Sequence, residues 1–242
     1  MVYKIADFRF TFPNAPQSVL DFCADYAVEG EEFDTEILLT ESDIQAEIDL
    51  YNKEESKDKA VSDRFIRRQC AAFAAYRKIC AYALQNDAFL MHGVAVRYAD
   101  EGYIFTAQSG TGKTTHVRQW KEAFGDEQVV IVNGDKPIIR FIDGKVYAYG
   151  TPWNGKEHFG TTGRTQIKAV CFVERGEQNV IRPLSDTEVI PRLFSQIMVV
   201  DSTDLAKQLE LADMFLEKVR FYNLRCNIST EAAEVAYRGM QI

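Results

Sequence analysis

The chain has 242 residues, of which 46% are hydrophobic and 26% charged, and it carries a net charge of −8. This length suits one large domain, or a compact domain with a smaller addition, and the composition suits a packed core. The acidic balance argues against a general nucleic-acid binder, for which a basic face is the first expectation. It leaves a nucleotide open, because a few cations and amides in one pocket suffice.

Five cysteines, an odd number, lie far apart without paired metal-type spacing, and read as buried thiols in a reducing compartment. The first residues, MVYKIADFRF, lack a basic segment followed by an apolar one, and no apolar run approaches membrane-spanning length. The expectation is a cytoplasmic protein with no membrane partner.

In chain order, Phe8, Phe10 and Phe12 alternate with Arg9 and Thr11, which places three rings on one sheet face; Pro13 ends the strand. Residues 18–26 read as a short helix and 29–32 as an acidic turn. A second alternation, Ile44, Ala46, Ile48 and Leu50 against Gln45, Glu47 and Asp49, reads as a half-exposed strand with a solvated acidic face. Residues 52–59, NKEESKDK, form a charged loop.

Residues 62–85 carry the clearest early helix, with Ile66, Cys70, Phe73, Tyr76, Cys80, Ala83 and Leu84 at three- and four-residue spacing. The run FLMHGVAVRY then reads as a strand that turns at 100–102 into the apolar run of residues 103–106. Next comes AQSGTGKT, residues 107–114, and after it a helix. Strand, glycine loop and helix in this order form a phosphate-binding loop in all but the first glycine, which is Ala107 here. In such a loop successive N–H groups point into one concavity at the positive end of a helix. Gly110 and Gly112 let the backbone approach phosphate oxygens, Lys113 meets the terminal phosphates and Thr114 offers a hydroxyl to Mg²⁺. A nucleoside triphosphate is the expected ligand. His116, in the first helical turn, reads as structural.

Residues 129–132 are four consecutive β-branched residues, the pattern of a strand buried on both faces, and they stop at Asn133-Gly134-Asp135. An acid at that strand end is placed to coordinate Mg²⁺ or deprotonate an acceptor. IIRFI and KVYAYG flank Asp143-Gly144, a type I′ hairpin signal. Residues 151–165, TPWNGKEHFGTTGRT, read as a loop that either covers a ligand or simply connects elements, and Lys136, Lys156, His158 and Arg164 are candidates for a second cation. Strands near 167–173 and 180–182 follow, then a capping box at Ser185 and Glu188 with Pro191 beyond it. A helix over 203–219 with a stripe of Leu205, Leu209, Ala212, Leu216 and Val219, a strand at 221–227 and a helix at 230–238 complete the chain.

His92-Gly93 opening a strand pair, GYIFTAQSGTGKTTH, and VVIVNGD followed by a hairpin resemble the catalytic domain of the HPr serine kinases and their phosphoenolpyruvate-carboxykinase-like relatives. FYNLRC with a short helix after it is also similar to small HPr-kinase-related proteins of peptide-modification clusters. The resemblance runs over residues 89–239. It implies a mixed α/β (α+β) fold: a mixed β-sheet P-loop kinase domain over residues 61–242, preceded by a small β-rich extension over 1–60. It also implies that Ser109, Gly110, Thr111, Gly112, Lys113, Thr114 and Thr115 hold ATP, that Thr114 and Asp135 hold Mg²⁺, and that Asp135 is the general base. By the same resemblance His92 orients Asp135 and Lys113 serves the transfer. Gly134 stands where the family often has a second carboxylate.

The implied activity is transfer of the γ-phosphoryl group to a hydroxyl, a serine of a protein or peptide or a small molecule. The alternative is a nucleotide-binding regulatory or scaffold module without transferase activity. The acceptor is not legible, and a homo-oligomer remains open.

Overall fold

The computed structural model describes residues 1–53, 62–108, 110–198 and 205–241. The chain divides into two compact units, Met1–Asn86 and Asp87–Ile242.

The first unit begins with strands β1 (Val2–Ile5) and β2 (Phe8–Thr11), an antiparallel hairpin closed by Ala6 and Asp7 at φ 54° and 62°. After it come helix α1 (Gln17–Phe22), short strands β3 (Ala27–Val28) and β4 (Thr35–Glu36), and helices α2 (Glu41–Lys53) and α3 (Asp63–Gln85). The sheet order is β3-β1-β2-β4. Phe8, Phe10 and Phe12 are all buried, as their alternation requires.

The segment expected as a strand over residues 44–50 is instead helix α2. Ile44 and Glu47 are its buried positions, whereas Ala46 and Leu50 are exposed, so the apparent period of two is accidental. Thr40 supplies the local cause: its hydroxyl accepts the Asp43 N–H at 3.2 Å, while the Asp43 carboxylate accepts the Thr40 N–H at 2.7 Å. Of the acidic face expected to be solvated, Glu47 finds a partner on α3, while Asp49 accepts from Gln45 at 2.8 Å; two further acids of α2 also reach α3. Glu41 pairs with Arg67, Asp43 with Lys78 at 3.0 Å, and Glu47 with Arg77. The segment read as a charged loop over 52–59 lies outside the described residues from 54 onward, and Asn52 and Lys53 belong to α2.

In the second unit the elements are β5 (Ala88–Leu90), β6 (Val94–Tyr98), β7 (Glu101–Thr106), α4 (Lys113–Phe124), β8 (Val130–Asn133), β9 (Ile138–Ile142), β10 (Lys145–Tyr149), β11 (Arg164–Arg175), β12 (Val180–Pro183), α5 (Asp186–Phe194), α6 (Leu205–Lys218), β13 (Arg220–Cys226) and α7 (Thr230–Gly239). They form a mixed α+β unit around a sheet of order β5-β9-β10-β11-β7-β6-β8, to which β13 adds beside β11 and β12 beside β13. Strands β7, β11 and β13 run parallel, so Thr106, Arg175 and Cys226 all finish at the same end of the sheet. The remaining pairings in this unit are antiparallel. Asp143 and Gly144 take φ 49° and 75° in the β9–β10 turn, as a type I′ hairpin needs.

Trp120 of α4, fully buried, packs against Tyr103 and Phe105 of β7 and against Tyr237 of α7, with ring centroids 5.1–6.0 Å apart. This aromatic cluster clamps α4 to the sheet and so fixes where its N-terminus points. Helix α6 is turned from the expected stripe: Leu205 and Leu209 are exposed, and Gln208, Leu211, Ala212 and Phe215 are buried. Phe215 decides that rotation by packing on Phe89 at 5.4 Å and Phe221 at 5.3 Å. Residues 203 and 204 of that expected helix lie outside the described residues. All five cysteines are free and buried. Among the described residues no helix is long and apolar enough to cross a membrane.

Candidate functional site

The turn from β7 into α4 puts Gly110 at φ 78° and Gly112 at φ 118°, backbone that only glycine adopts without strain. A Cβ on either would meet nothing within 4 Å, so the space beside both is open. Among the described residues the first helical bond at this end runs from the His116 N–H to Gly112 O at 2.9 Å. The N–H groups of Lys113, Thr114 and Thr115 therefore precede the ladder and lack intrahelical acceptors. Ser109, expected to contribute an amide, lies outside the described residues.

Lys113 starts this helix and is 9% exposed. Its Nζ donates to Ala107 O at 3.1 Å, so the ammonium is drawn back under the loop. Burial lowers its pKa; the Asp135 charge opposes that shift and Lys136 adds to it. Lys113, Asp135 and Lys136 thus share one electrostatic neighbourhood. Thr114 and Thr115 are half-buried in the first turn.

Asp135 lies just beyond β8 and is held from several sides. Asn133, fully buried, accepts the Asp135 N–H at 2.9 Å and the Lys136 N–H at 2.7 Å through its Oδ1. Its Nδ2 donates to Thr151 O and Oγ1 at 3.1 and 3.0 Å. The Asp135 carbonyl accepts the Gly93 N–H at 2.8 Å. The carboxylate receives Lys136 Nζ at 2.6 Å on one oxygen, and His92 Nε2 lies 3.4 Å from the other. Burial alone would raise the pKa of Asp135, but the hydrogen bonds and charges of His92 and Lys136 outweigh it and bring it down to about 2. Asp135 is an anion throughout the neutral range.

Gly134 is set by close approach. A Cβ there would lie 2.5 Å from Asn154 O and 2.9 Å from Phe159 O, so no side chain fits and a second carboxylate is excluded at this position. Among the described residues no group of three or more His, Cys, Asp or Glu could cage a metal ion.

His92 is oriented from its other side by Gln196, whose Oε1 is 3.1 Å from His92 Nδ1 and accepts from Thr106 Oγ1 at 3.0 Å. The Gln196 carbonyl also accepts the His92 N–H at 2.8 Å. Gln196 follows α5, 104 residues from His92, so no local sequence pattern couples them. Arg175, at the end of β11, donates from Nε to Thr111 O at 3.0 Å and from Nη2 to Gly110 O at 2.7 Å, bracing the glycine turn. Arg192 of α5 donates to Glu174 at 3.0 Å and to Asn223. None of these three residues stands out in the sequence; the only local signal is Arg175 closing a strand that runs parallel to β7.

The candidates for a second cation separate. Lys136 reaches Asp135. Arg164 instead lies over the Tyr147 ring at 4.6 Å and donates to Tyr149 Oη at 2.6 Å, while Lys156 and His158 are exposed.

Two clefts flank the glycine turn. The larger, about 580 Å³, lies between the loop, the end of β11 and the end of α5, where Arg192, Ser195 and Gln196 line it. The smaller, about 360 Å³, lies between α4 and the ends of β11 and β13. Arg175 lines both.

No protein-family model matches the chain, and no curated protein matches it. Among solved structures, the HPr(Ser) kinase/phosphatase from Coxiella burnetii is similar over 62% of this chain and 94% of that one, at 7% identity and a TM-score of 0.37. At that identity and score the likeness is distant and establishes neither activity nor site.

Proposed function

We propose that this protein is an ATP- and Mg²⁺-dependent phosphotransferase that delivers the γ-phosphoryl group to a hydroxyl. One observation carries the reading: a buried ammonium, Lys113, with a single hydrogen bond among the described residues, stands at a helix N-terminus that no described side chain caps, within electrostatic reach of an ionised carboxylate held in place by three neighbours. Burying an ammonium this far is costly unless an anion arrives to meet it.

Backbone N–H groups from Gly110 to Thr115 together with Lys113 would hold the β- and γ-phosphates, with the amide of Ser109 assigned to the same cradle. Thr114 and Asp135 are hard oxygen donors. They fit Mg²⁺, which takes one or two protein oxygens and completes its shell from phosphates and water. When bound there, the ion supplies positive charge against the phosphate oxygens. The chain's own residues do the rest by alignment and electrostatics.

In the transfer the acceptor oxygen bonds to the γ-phosphorus and the bond from that phosphorus to the β,γ-bridging oxygen breaks, leaving its electron pair on the diphosphate. The hydroxyl proton passes to the Asp135 carboxylate. Its low pKa makes Asp135 a weak base, which suits a loose transition state in which the proton leaves late. His92 keeps the carboxylate turned toward the loop, and Gln196 keeps His92 turned toward Asp135. A serine of a protein or peptide, or a small-molecule alcohol, is the acceptor class.

A second reading, a nucleotide-responsive module without transferase activity, is favoured by two features of one segment: the pKa of about 2 at Asp135 and the bar to a second carboxylate at Gly134. Incubation with γ-labelled ATP, Mg²⁺ and a panel of hydroxyl acceptors separates the two. Label transfer that disappears in Asp135→Asn supports the kinase; tight ATP binding with no transfer, unchanged by Asp135→Asn, supports the module and removes the kinase.

A further inference from the structure

If the γ-phosphate lies toward Asp135, the rest of a nucleotide has to leave the loop on the opposite side. The smaller cleft is the one that shares no lining residue with the Asp135, His92 and Gln196 group. Its lining includes Thr115, His116 and Gln119 from α4 but none of His92, Asp135, Lys136 or Gln196, whereas Gln196 lines the larger cleft. At about 360 Å³ it falls within the range of about 300–1,000 Å³ common for small-molecule sites.

Its wall on the β11 and β13 side mixes apolar Val173, Cys226 and Ile228 with polar Glu174, Arg175 and Asn227. Val173 is buried in that wall, and Ile228, 78% exposed, stands at the rim just beyond β13. An aliphatic side chain that open is a ready surface for an aromatic face to cover. On the α4 side, Gln119 makes no side-chain hydrogen bond to any described residue. His116 is a second unused donor. Trp120 Nε1–H donates to His116 Nε2 at 3.1 Å, so Nε2 is the acceptor and the ring proton sits on Nδ1. Among the described residues that Nδ1–H has no acceptor, and His116 is one of the residues lining the cleft. Apolar side chains at Val173 and Ile228 across from a short row of unengaged donors match a flat heterocycle with acceptors on its edge.

We propose that the cleft between α4 and the ends of β11 and β13 seats the nucleoside half of the nucleotide, the base lying against Val173 and Ile228 and the Gln119 amide meeting its polar edge. The assignment rests on the phosphate-loop reading. Arg175, which lines both clefts, then stands where the two halves of the ligand join.

The test compares Mg²⁺-ATP with Mg²⁺-tripolyphosphate, which has the same phosphate chain and no nucleoside, by calorimetry on the full chain. Wild type is expected to bind ATP at least about tenfold more tightly than tripolyphosphate. Ile228→Ser and Gln119→Ala, both neutral changes, each raise the Kd for ATP about three- to tenfold and leave that for tripolyphosphate unchanged. Lys113→Ala weakens both ligands alike. If wild type discriminates between the ligands while both cleft variants bind ATP normally, the nucleoside sits elsewhere and this assignment fails while the phosphate site stands. If wild type binds neither ligand, both fail together.

Discussion

Lys113 and Asp135 carry opposite charges within reach of each other, yet the protein treats them in opposite ways. Asp135 is over-determined: Asn133 fixes its main chain, and His92 and Lys136 occupy its two carboxylate oxygens. Lys113 is under-determined, a buried ammonium whose Nζ donates to one carbonyl at the foot of an open glycine turn. Preorganisation on one side and unmet donors on the other is the arrangement expected where chemistry is aligned by one wall and the charged ligand is supplied from solution. The two residues should therefore fail differently when altered.

The largest effect is expected at the aligned wall. Asp135→Asn keeps the shape but removes the charge and the proton acceptor, and should lower kcat by about 10²–10⁴-fold while changing the Kd for ATP by less than about threefold. A matched loss in both quantities would reassign Asp135 to nucleotide binding. Lys113→Ala should do the reverse, raising the Kd for ATP by about 10²-fold, as expected for a lost charge-assisted contact to phosphate.

Stability should separate the pair further. The folded pKa of Lys113 is lowered by burial, so the native state binds this proton less tightly than the unfolded chain, whose lysine titrates near about 10.4. The penalty is complete below the folded value and is relieved as pH rises through it toward the unfolded value. Lys113→Met should thus raise the Tm of the apo protein by about 2–4 °C at pH 7 and abolish the further rise that Mg²⁺-ATP gives wild type. For Gly134→Ala the opposite is expected: its Cβ would meet Asn154 O at 2.5 Å, and the Tm should fall by several degrees, for a cost of about 1–3 kcal/mol.

The smallest and most local effect is in acid. The pKa of Asp135 is depressed to about 2, against about 3.9 unfolded, so its stabilisation is present above the unfolded value and is lost as pH falls through the folded one. Between pH about 4 and about 2, wild type should lose stability that Asp135→Asn does not have to lose, and the two denaturant midpoints should converge. A constant offset across that window would show that Asp135 is not the titrating group.

Much of this was legible locally. The glycines at 110 and 112, the helix after them and the Asp143-Gly144 turn are written in residues whose backbone freedom is itself the signal. Asp135 could be picked out because a run of β-branched residues ends beside it. The region of residues 41–53 could not be read that way, because a short apolar alternation fits a strand as well as a helix. Thr40, with Asp43, and the basic partners on α3 decided for the helix. The rotation of α6 was likewise set by Phe215, which a stripe of leucines conceals.

From its sequence alone this protein has a strand, a glycine turn and a helix able to present amides and one lysine to an anion, because those properties depend on neighbouring residues. Only the tertiary structure brings Asp135 and His92 to that turn and recruits Gln196 to His92. Only it braces the turn with Arg175 from 65 residues away and opens a cleft on each side. The physical reason is that a sheet built from strands distant in sequence gathers their ends at one edge, and no local pattern records which ends will meet.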